Sequence, residues 1–368
     1  MSARLERLAL TLAAPLLAVL VAVVVTSLVL VAAGDPVGEV WSQIFAVPDN
    51  RNLINIINSA SVYYLSGLAV AIGFRMNLFN IGVDGQYRIA AFAAAYVAGE
   101  AWLPGYLNTV VAVAAAMLVG AAWAGIAALL RVTRGVSEVI STIMLNAIST
   151  GLVAYLLRQA APRVEGSNDI GTKPIPEGSR IPGFPVGGEA GTVYGFVVIA
   201  VLFGVAYAVL MNRTRFGFDL RATGQSESAA VASGIDVKRM VLLTMLLSGA
   251  VAGLVGLPIL FGDAYRYGTT FQAGLGFAGI AIALLGRNHP VGIAVGALLF
   301  AYLDEQSNPL QILVGVAPEI VTITQGVIVL AVVIAYEVVR RYRLRREQQT
   351  VAAALASETP PAREEARA

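Results

Sequence analysis

The sequence predicts an all-α, polytopic transmembrane helical bundle. Hydrophobic residues make up 57% of the 368 residues and charged residues only 13%, against roughly 25% charged residues in an average soluble domain. The mean hydropathy of +0.75 extends along nearly the whole chain, which indicates many spans and little mass outside the membrane. Basic residues stand in short clusters beside the apolar runs, as topological signals do.

About ten apolar segments are long enough to be read as membrane spans. The first, 8–34, is far longer than the apolar core of about 7 to 15 residues in a cleaved signal peptide, so we expect an uncleaved span. Segments 86–99 and 291–303 are short or glycine-rich, which is typical of partial or re-entrant spans. The other segments are 53–74, 106–130, 137–157, 192–211, 241–262, 270–286 and 318–338.

The positions of arginine and lysine predict an N-in, C-in topology, because cytoplasmic flanks of spans retain positive charge. With the N-terminus inside, the clusters at 131–134, 213–221 and 238–239 and the run 340–346 are all cytoplasmic. The basic residues left on the exterior are Arg51, Arg158, Arg163, Lys173, Arg180 and Arg266.

This topology divides the chain into a transmembrane permease domain, 1–343, and a tail, 344–368, that we expect to be disordered and cytoplasmic. The loop 158–191, rich in proline and glycine, lies outside. It is either a connector or a docking surface for an external binding protein. The loop 212–240 is the longest cytoplasmic loop apart from the tail.

A short helix is predicted within the cytoplasmic loop 212–240. Ser226 can cap a helix that extends through Ala232, and Gly234 is placed to end it in a left-handed turn. A helix of small residues on the inner face of a membrane protein suits docking into a groove of another protein. The alternative is a loop helix packed against the bundle.

Polar residues between the spans 53–74 and 86–99 predict a permeation path. They would be costly in lipid, so they should face a cavity or neighbouring helices. Gly73, Gly82 and Gly85 permit an interrupted helix, in which free backbone groups can meet a polar substrate. Against this, Asp84 and Arg88 are four residues apart and can neutralise each other. The path candidates here are Asn77, Phe79, Asn80, Asp84 and Gln86.

The tripeptide Leu65-Ser66-Gly67 precedes this segment, and Leu247-Ser248-Gly249 precedes the segment 262–276 at a similar spacing. The match suggests a 5+5 inverted repeat, with chance as the alternative. In inverted-repeat transporters, interrupted helices at corresponding positions flank the substrate site. This adds Tyr265, Tyr267, Phe271 and Gln272 to the path candidates.

Several classes of function find no support in the sequence. No Gly-x-x-x-x-Gly-Lys-Ser/Thr motif surrounds Lys173 or Lys238, the only lysines, so we expect no ATP bound through a P-loop. With no cysteine, no zinc motif and a net charge of +2, we expect no metal, no cofactor, no catalytic residues and no nucleic-acid partner. An ion-coupled secondary transporter of a small polar solute remains the alternative, but Asp84 is its only strong carboxylate candidate.

Residues 73–86 read Gly-Phe-Arg-Met-Asn-Leu-Phe-Asn-Ile-Gly-Val-Asp-Gly-Gln. They resemble the Asn-Leu-Phe-Asn-Ile-Gly-x-Glu-Gly-Gln segment of ABC importer permeases of the branched-chain amino acid, ribose and nucleoside group, and above all the longer permease of the nucleoside branch. Asp84 stands where glutamate is usual. The loop 212–240 is similar to the ATPase-coupling segment of such permeases, with Ser228 as a departure. The coupling candidates are Gly224, Glu227, Ala229, Ala230 and Gly234.

The resemblance covers most of residues 8–340. It implies a permease subunit of an ATP-binding cassette importer in the bacterial inner membrane, which moves a nucleoside or simple sugar delivered by an external binding lipoprotein. It also implies a separate ATPase that uses the ATP, and a second, related permease in a heterodimer, with a homodimer as the alternative. Which nucleoside, base or sugar is moved stays open.

Overall fold

The computed structural model describes residues 3–161, 170–186 and 191–358. Within these residues the chain is helical almost throughout, as predicted, and each predicted apolar segment contains a helix. The helices form two compact units, Met1–Glu39 with Glu319–Ala368, and Val40–Pro318. In the described part of the chain, 6 helices are long and apolar enough to cross a membrane.

The first unit is a pair of long helices, Ala3–Ala33 (α1) and Glu319–Glu358 (α15), packed along each other. Ala22, Ala331 and Ala335 form a buried cluster between them, where small side chains let two helices approach closely. The helix α15 includes residues 344–358, for which we predicted disorder. This stretch is rich in alanine, arginine, glutamine and leucine, which favour helix. Residues 359–368 of the predicted tail lie outside the described residues.

The second unit holds the other helices and a small antiparallel strand pair, Phe184–Pro185 (β1) with Thr192–Val193 (β2). Its helices are Val37–Ile44 (α2), Asn50–Phe74 (α3), Val83–Glu100 (α4), Gly105–Arg134 (α5), Glu138–Ala160 (α6), Phe196–Arg213 (α7), Arg215–Gln225 (α8), Glu227–Ala232 (α9), Val237–Ala252 (α10), Leu257–Ile259 (α11), Leu275–Leu285 (α12), Pro290–Glu305 (α13) and Ser307–Pro309 (α14), with a 3₁₀ turn at Glu177–Ser179.

The helix α3 is the centre of this unit and is buried along most of its length. It packs against α7, α10, α12 and α13, while α10 packs against α5. Glycines make the last contact close: a Cβ on Gly120 would overlap the carbonyl oxygen of Gly249, and a Cβ on Gly249 would overlap that of Gly120. Two backbones approach this closely only when neither carries a side chain at the contact.

The second predicted interruption is present in the structure. After α10 the chain continues through α11 into a π-helical turn, Leu260–Ala264, and then leaves helical structure until α12 begins at Leu275. Tyr265 ends the π turn with a left-handed φ of 49°. The residues between Tyr265 and Gly274 therefore expose backbone groups that a continuous helix would satisfy internally.

The described part of the loop 158–191 packs on this interruption. Thr172 N donates to Tyr267 O at 2.9 Å, and Ile175 N donates to Tyr265 O at 2.8 Å. Lys173 Nζ lies 2.8 Å from Glu100 Oε2, and this hydrogen bond raises the pKa of Lys173. We call this end of the bundle the outer end, and the end that carries α9 the inner end, after the predicted topology.

Candidate substrate path and coupling surface

The side chains of Asn80 and Gln86 form a reciprocal amide pair. Asn80 Nδ2 donates to Gln86 Oε1 at 3.0 Å, and Gln86 Nε2 donates to Asn80 Oδ1 at 2.9 Å. Asn80 Nδ2 also donates to Ser248 Oγ on α10 at 2.9 Å. Asn80 is 0% exposed and Gln86 is 1% exposed. Because the amides of Asn80 and Gln86 already have partners, this geometry supports a role in positioning the interrupted segment. That the two residues line the path stays a prediction.

The other candidates of this segment differ in exposure. Asn77 is exposed with a left-handed φ of 60°, and Phe79 is 45% exposed with its ring centroid 5.0 Å from that of Phe74. Asp84 is buried, and its carboxylate lies 3.1 Å from Arg88 Nε. The ion pair that the sequence left as an alternative reading of Asp84 is therefore present.

The two groups of predicted path residues lie side by side. Tyr87 Oη donates to Gln272 O at 2.8 Å, and Gly276 N donates to Asp84 Oδ1 at 3.3 Å. The ring of Tyr267 stacks on Phe271 with centroids 4.5 Å apart. The interrupted segment before α12 thus lies along α4, and the side chain of Gln272 is exposed.

At the outer end, the ring of Tyr265 packs against an arginine side chain. The guanidinium of Arg180 lies over its ring, 4.0 Å from the centroid, within the range of a cation–π contact. Tyr265 Oη donates to Gly262 O at 3.0 Å. Of the predicted path residues on this segment, Tyr265 is therefore constrained by the external loop, whereas the side-chain amide of Gln272 has no hydrogen-bond partner among the described residues.

The serines of the two matching tripeptides have corresponding roles. Ser66 Oγ on α3 donates to Leu275 O at the start of α12 at 2.7 Å. Ser248 Oγ on α10 donates to Ala69 O at 2.7 Å and accepts from Asn80, just before α4. Each serine ties its own helix to the interrupted segment of the other half. This correspondence favours a repeat over a chance match, while the inverted orientation stays a prediction.

The predicted helix of the inner loop is α9, Glu227–Ala232. Ser226 Oγ caps it by accepting from Ala229 N at 3.3 Å. At its end Gly234 has a φ of +82°, and Ile235 N donates to Ala230 O at 3.0 Å, the hydrogen bond of a Schellman motif. Both predicted helix ends are confirmed.

The coupling candidates on and around α9 differ in their exposure. Glu227, Ala229 and Gly234 are exposed, whereas Ala230 is 2% exposed and packs inside the chain. Gly224 lies in the last turn of α8, close to the backbone of Arg75 and Met76, where an added Cβ would lie 2.8 Å from Arg75 O. One face of α9 therefore packs on the bundle, as the alternative reading expected, and the other is available to a partner.

Ion pairs connect α9 to the polar segment, and the sequence did not predict them. Arg131 pairs with Glu138 across the turn between α5 and α6, and Arg131 Nη2 lies 3.5 Å from Glu227 Oε1. Glu138 Oε1 accepts from Phe79 N at 3.3 Å. Since Phe79 adjoins Asn80, these contacts form a continuous route from the exposed helix to the buried amide pair.

The structure also shows a polar pocket at the outer end that the sequence did not predict. One signal could have revealed it: the predicted span 53–74 carries Asn55, Asn58, Ser59 and Tyr63, which fall on one helical face. Polar side chains on one face of a membrane span indicate a cavity or a polar neighbour.

The apolar helices and the polar interruptions between them define a multi-pass membrane protein. Residues 52–335 match the family described as the branched-chain amino acid transport system / permease component. The chain belongs to this permease family.

Three relatives align along almost the whole chain. The glucose ABC transporter permease protein of Haloferax volcanii is 33% identical, with 90% of this chain and 89% of the relative covered. The guanosine ABC transporter permease protein of Bacillus subtilis is 31% identical, with 88% and 93% covered. The nucleoside ABC transporter permease protein of Lactococcus lactis is 28% identical, with 88% and 90% covered.

Proposed function

We propose that this chain is the membrane-spanning permease subunit of an ATP-binding cassette importer in the bacterial inner membrane, and that it translocates a nucleoside or a simple sugar. A separate ATPase supplies the energy, a second, related permease completes a heterodimer, and an external binding lipoprotein delivers the substrate. The similarity to guanosine, nucleoside and glucose permeases supports this substrate range.

The observation that carries the proposal is the exposed face of α9. A capped helix with Ala229 exposed and Glu227 paired to Arg131 offers a small, fixed surface to an ATPase. The route through Glu138 to Phe79 would transmit movement of this helix to the polar segment, because contiguous ion pairs and hydrogen bonds can couple distant sites.

Ion-coupled transport is less well supported. Asp84, the carboxylate that this alternative required, is engaged by Arg88 at 3.1 Å and by Gly276 N at 3.3 Å. A carboxylate that exchanges ions or protons needs access to the path, which a buried, doubly engaged group lacks.

Uptake by the reconstituted complex tests the proposal. The chain, its candidate second permease and an ATPase are assembled in proteoliposomes with the binding protein, and entry of labelled guanosine, uridine, glucose and ribose is measured. We expect uptake of at least one of them only with ATP and the binding protein present. Uptake driven by a proton or sodium gradient without ATP would support the alternative.

A further inference from the structure

The polar pocket at the outer end of the second unit has a volume of about 230 Å³. Sites for drug-sized ligands usually measure about 300–1,000 Å³, so this pocket suits a single ring. It lies between the outer half of α3, the π turn, the interrupted segment before α12 and the end of α13. The polar side chains used below are Asn55, Ser59, Tyr194, Asp263, Gln272 and Glu305. We call this site the outer pocket.

The outer pocket presents hydrogen-bonding groups that the described residues leave unused. Asp263 is exposed, and its carboxylate makes no hydrogen bond or ion pair with any described residue. Glu305 Oε1 accepts from Asn55 Nδ2 at 2.9 Å, which leaves its second oxygen for another donor. Ionised carboxylates are acceptors only, and amides such as Gln272 both donate and accept. The combination suits a ligand with several hydroxyl groups.

The wall of the outer pocket is fixed by partly buried hydrogen bonds. Asn58, 6% exposed, accepts from Tyr194 N at 2.8 Å and donates to Thr192 O at 3.0 Å. Tyr63 Oη donates to Asp304 Oδ2 at 3.1 Å. A pocket whose walls are already ordered loses less conformational entropy when a ligand binds.

The charged side chains of the outer pocket are of one sign. Among the described residues that line it, Asp263 and Glu305 are acidic and none is basic. A cleft lined by one sign of charge focuses the field and repels ions of that sign. A phosphate group would meet two carboxylates and no arginine or lysine, whereas an uncharged hydroxyl can donate a hydrogen bond to either.

We propose that the outer pocket binds the hydroxyl-bearing ring of an uncharged solute, either a free sugar or the pentose of a nucleoside, and that Asp263 and Glu305 exclude the phosphorylated forms. The proposal rests on the proposed function, since it names the part of the substrate that this chain recognises. It extends that function by assigning the site and a physical basis for selection.

Cysteine labelling of the assembled complex tests the charge without requiring transport. The chain has no cysteine, so Ser59→Cys places one thiol in the outer pocket, and Gly178→Cys places a matched thiol on the exposed external loop. Each is treated with a cationic and an anionic methanethiosulfonate of similar size. We expect the ratio of the cationic to the anionic labelling rate to be at least about tenfold higher at Ser59→Cys than at a free thiol, given the usual strength of charge focusing. The ratio should be close to that of free thiols at Gly178→Cys.

Two further substitutions assign the effect to the carboxylates. Adding Asp263→Asn and Glu305→Gln to Ser59→Cys should lower the ratio of the two labelling rates to the ratio measured at Gly178→Cys. A ratio at Ser59→Cys that already equals that of Gly178→Cys, or one that survives these changes, would overturn the assignment of charge selection to this pocket.

Protection from labelling tests the ligand. Millimolar ribose, glucose, guanosine or uridine should slow labelling of Ser59→Cys and leave Gly178→Cys unaffected. Protection by ribose and both nucleosides would identify the pentose, and protection by glucose alone would identify a free hexose. Glucose 6-phosphate and guanosine 5′-monophosphate should protect at least tenfold less well than their uncharged counterparts. ATP-dependent uptake without protection by any of the four would refute the site while the proposed function stands.

Discussion

Arg131 and Glu138 form a partly buried ion pair across the turn that joins α5 to α6. The same guanidinium approaches Glu227 on α9, and the same carboxylate accepts from Phe79 N. Two residues seven positions apart thus link the exposed inner helix to the interrupted segment before α4. If α9 docks an ATPase, this pair is the first contact through which docking reaches the membrane-embedded part of the chain.

Removal of the charge on Glu138 should uncouple ATP hydrolysis from transport. In Glu138→Gln the guanidinium of Arg131 loses its close partner, so movement of α9 is transmitted less well. We expect several-fold less substrate imported per ATP hydrolysed by the reconstituted complex, with the ATPase still bound. Lys238→Gln, at an exposed residue of the same loop, is the control. An unchanged ratio would show that the pair serves stability alone.

Substitutions on the two faces of α9 should have different effects. Ala229 is exposed, so Ala229→Trp should block ATPase docking while the permease still inserts and folds. Ala230 is buried in the chain itself, so Ala230→Trp should overpack the fold at a cost of about 1–3 kcal/mol. Co-purification of the ATPase and the thermal unfolding temperature of the permease distinguish these outcomes. Retention of a functional ATPase by Ala229→Trp would direct the search to the turn 131–135.

Asn80→Leu should impair assembly as well as uptake. Without this amide, the buried side chain of Gln86 loses both of its hydrogen bonds to Asn80, and Ser248 Oγ keeps only its bond to Ala69 O. A buried polar group left without a partner costs about 1–3 kcal/mol. The measurements are the yield of folded permease from the membrane and its unfolding temperature. Asn212→Leu, at an exposed amide on α7, should leave both unchanged. Normal yield and stability with lost uptake would instead favour a path-lining role for Asn80.

A methyl group on Gly249 should destabilise the contact between α5 and α10. Alanine usually stabilises a helix by roughly 0.5–1 kcal/mol relative to glycine, but here its Cβ would overlap the backbone of Gly120. We expect Gly249→Ala to lower the unfolding temperature. Gly151→Ala on α6, with no atom within 4 Å of the new Cβ, should keep or raise it. An equal change in the unfolding temperature of the two variants would mean that α5 and α10 can move apart enough to admit the new methyl group.

Single cysteines test the predicted topology. Lys173→Cys should react with an impermeant maleimide added to intact cells, because the distribution of arginine and lysine places the loop 158–191 outside. Ser228→Cys, exposed on α9, should react only after the membrane is permeabilised. The reverse pattern would invert the orientation, and with it the assignment of α9 to the ATPase.

Local patterns were sufficient to predict several features of this chain. Hydropathy placed the helices, since burial in lipid depends on composition over about 20 residues. Ser226 and Gly234 located the ends of α9, because capping involves groups only a few residues apart. The resemblance at 73–86 indicated the permease family that the comparisons then showed. Disorder of the tail 344–368 stays a prediction, although α15 extends through Glu358.

Tertiary packing decided the roles of individual side chains. Asn80 was predicted to face a path, but its partner Ser248 is 168 residues away, and no local pattern specifies such a pairing. Ala229 and Ala230 are the same amino acid, and only the packing of α9 on the bundle buries Ala230 and leaves Ala229 exposed. Asp263 and Glu305 line the same outer pocket because α11, which leads into the π turn of Asp263, and α13, which carries Glu305, both pack on α3. The sequence by itself determined which segments are helical and apolar, while contacts between distant helices determined which polar groups are satisfied and which are free.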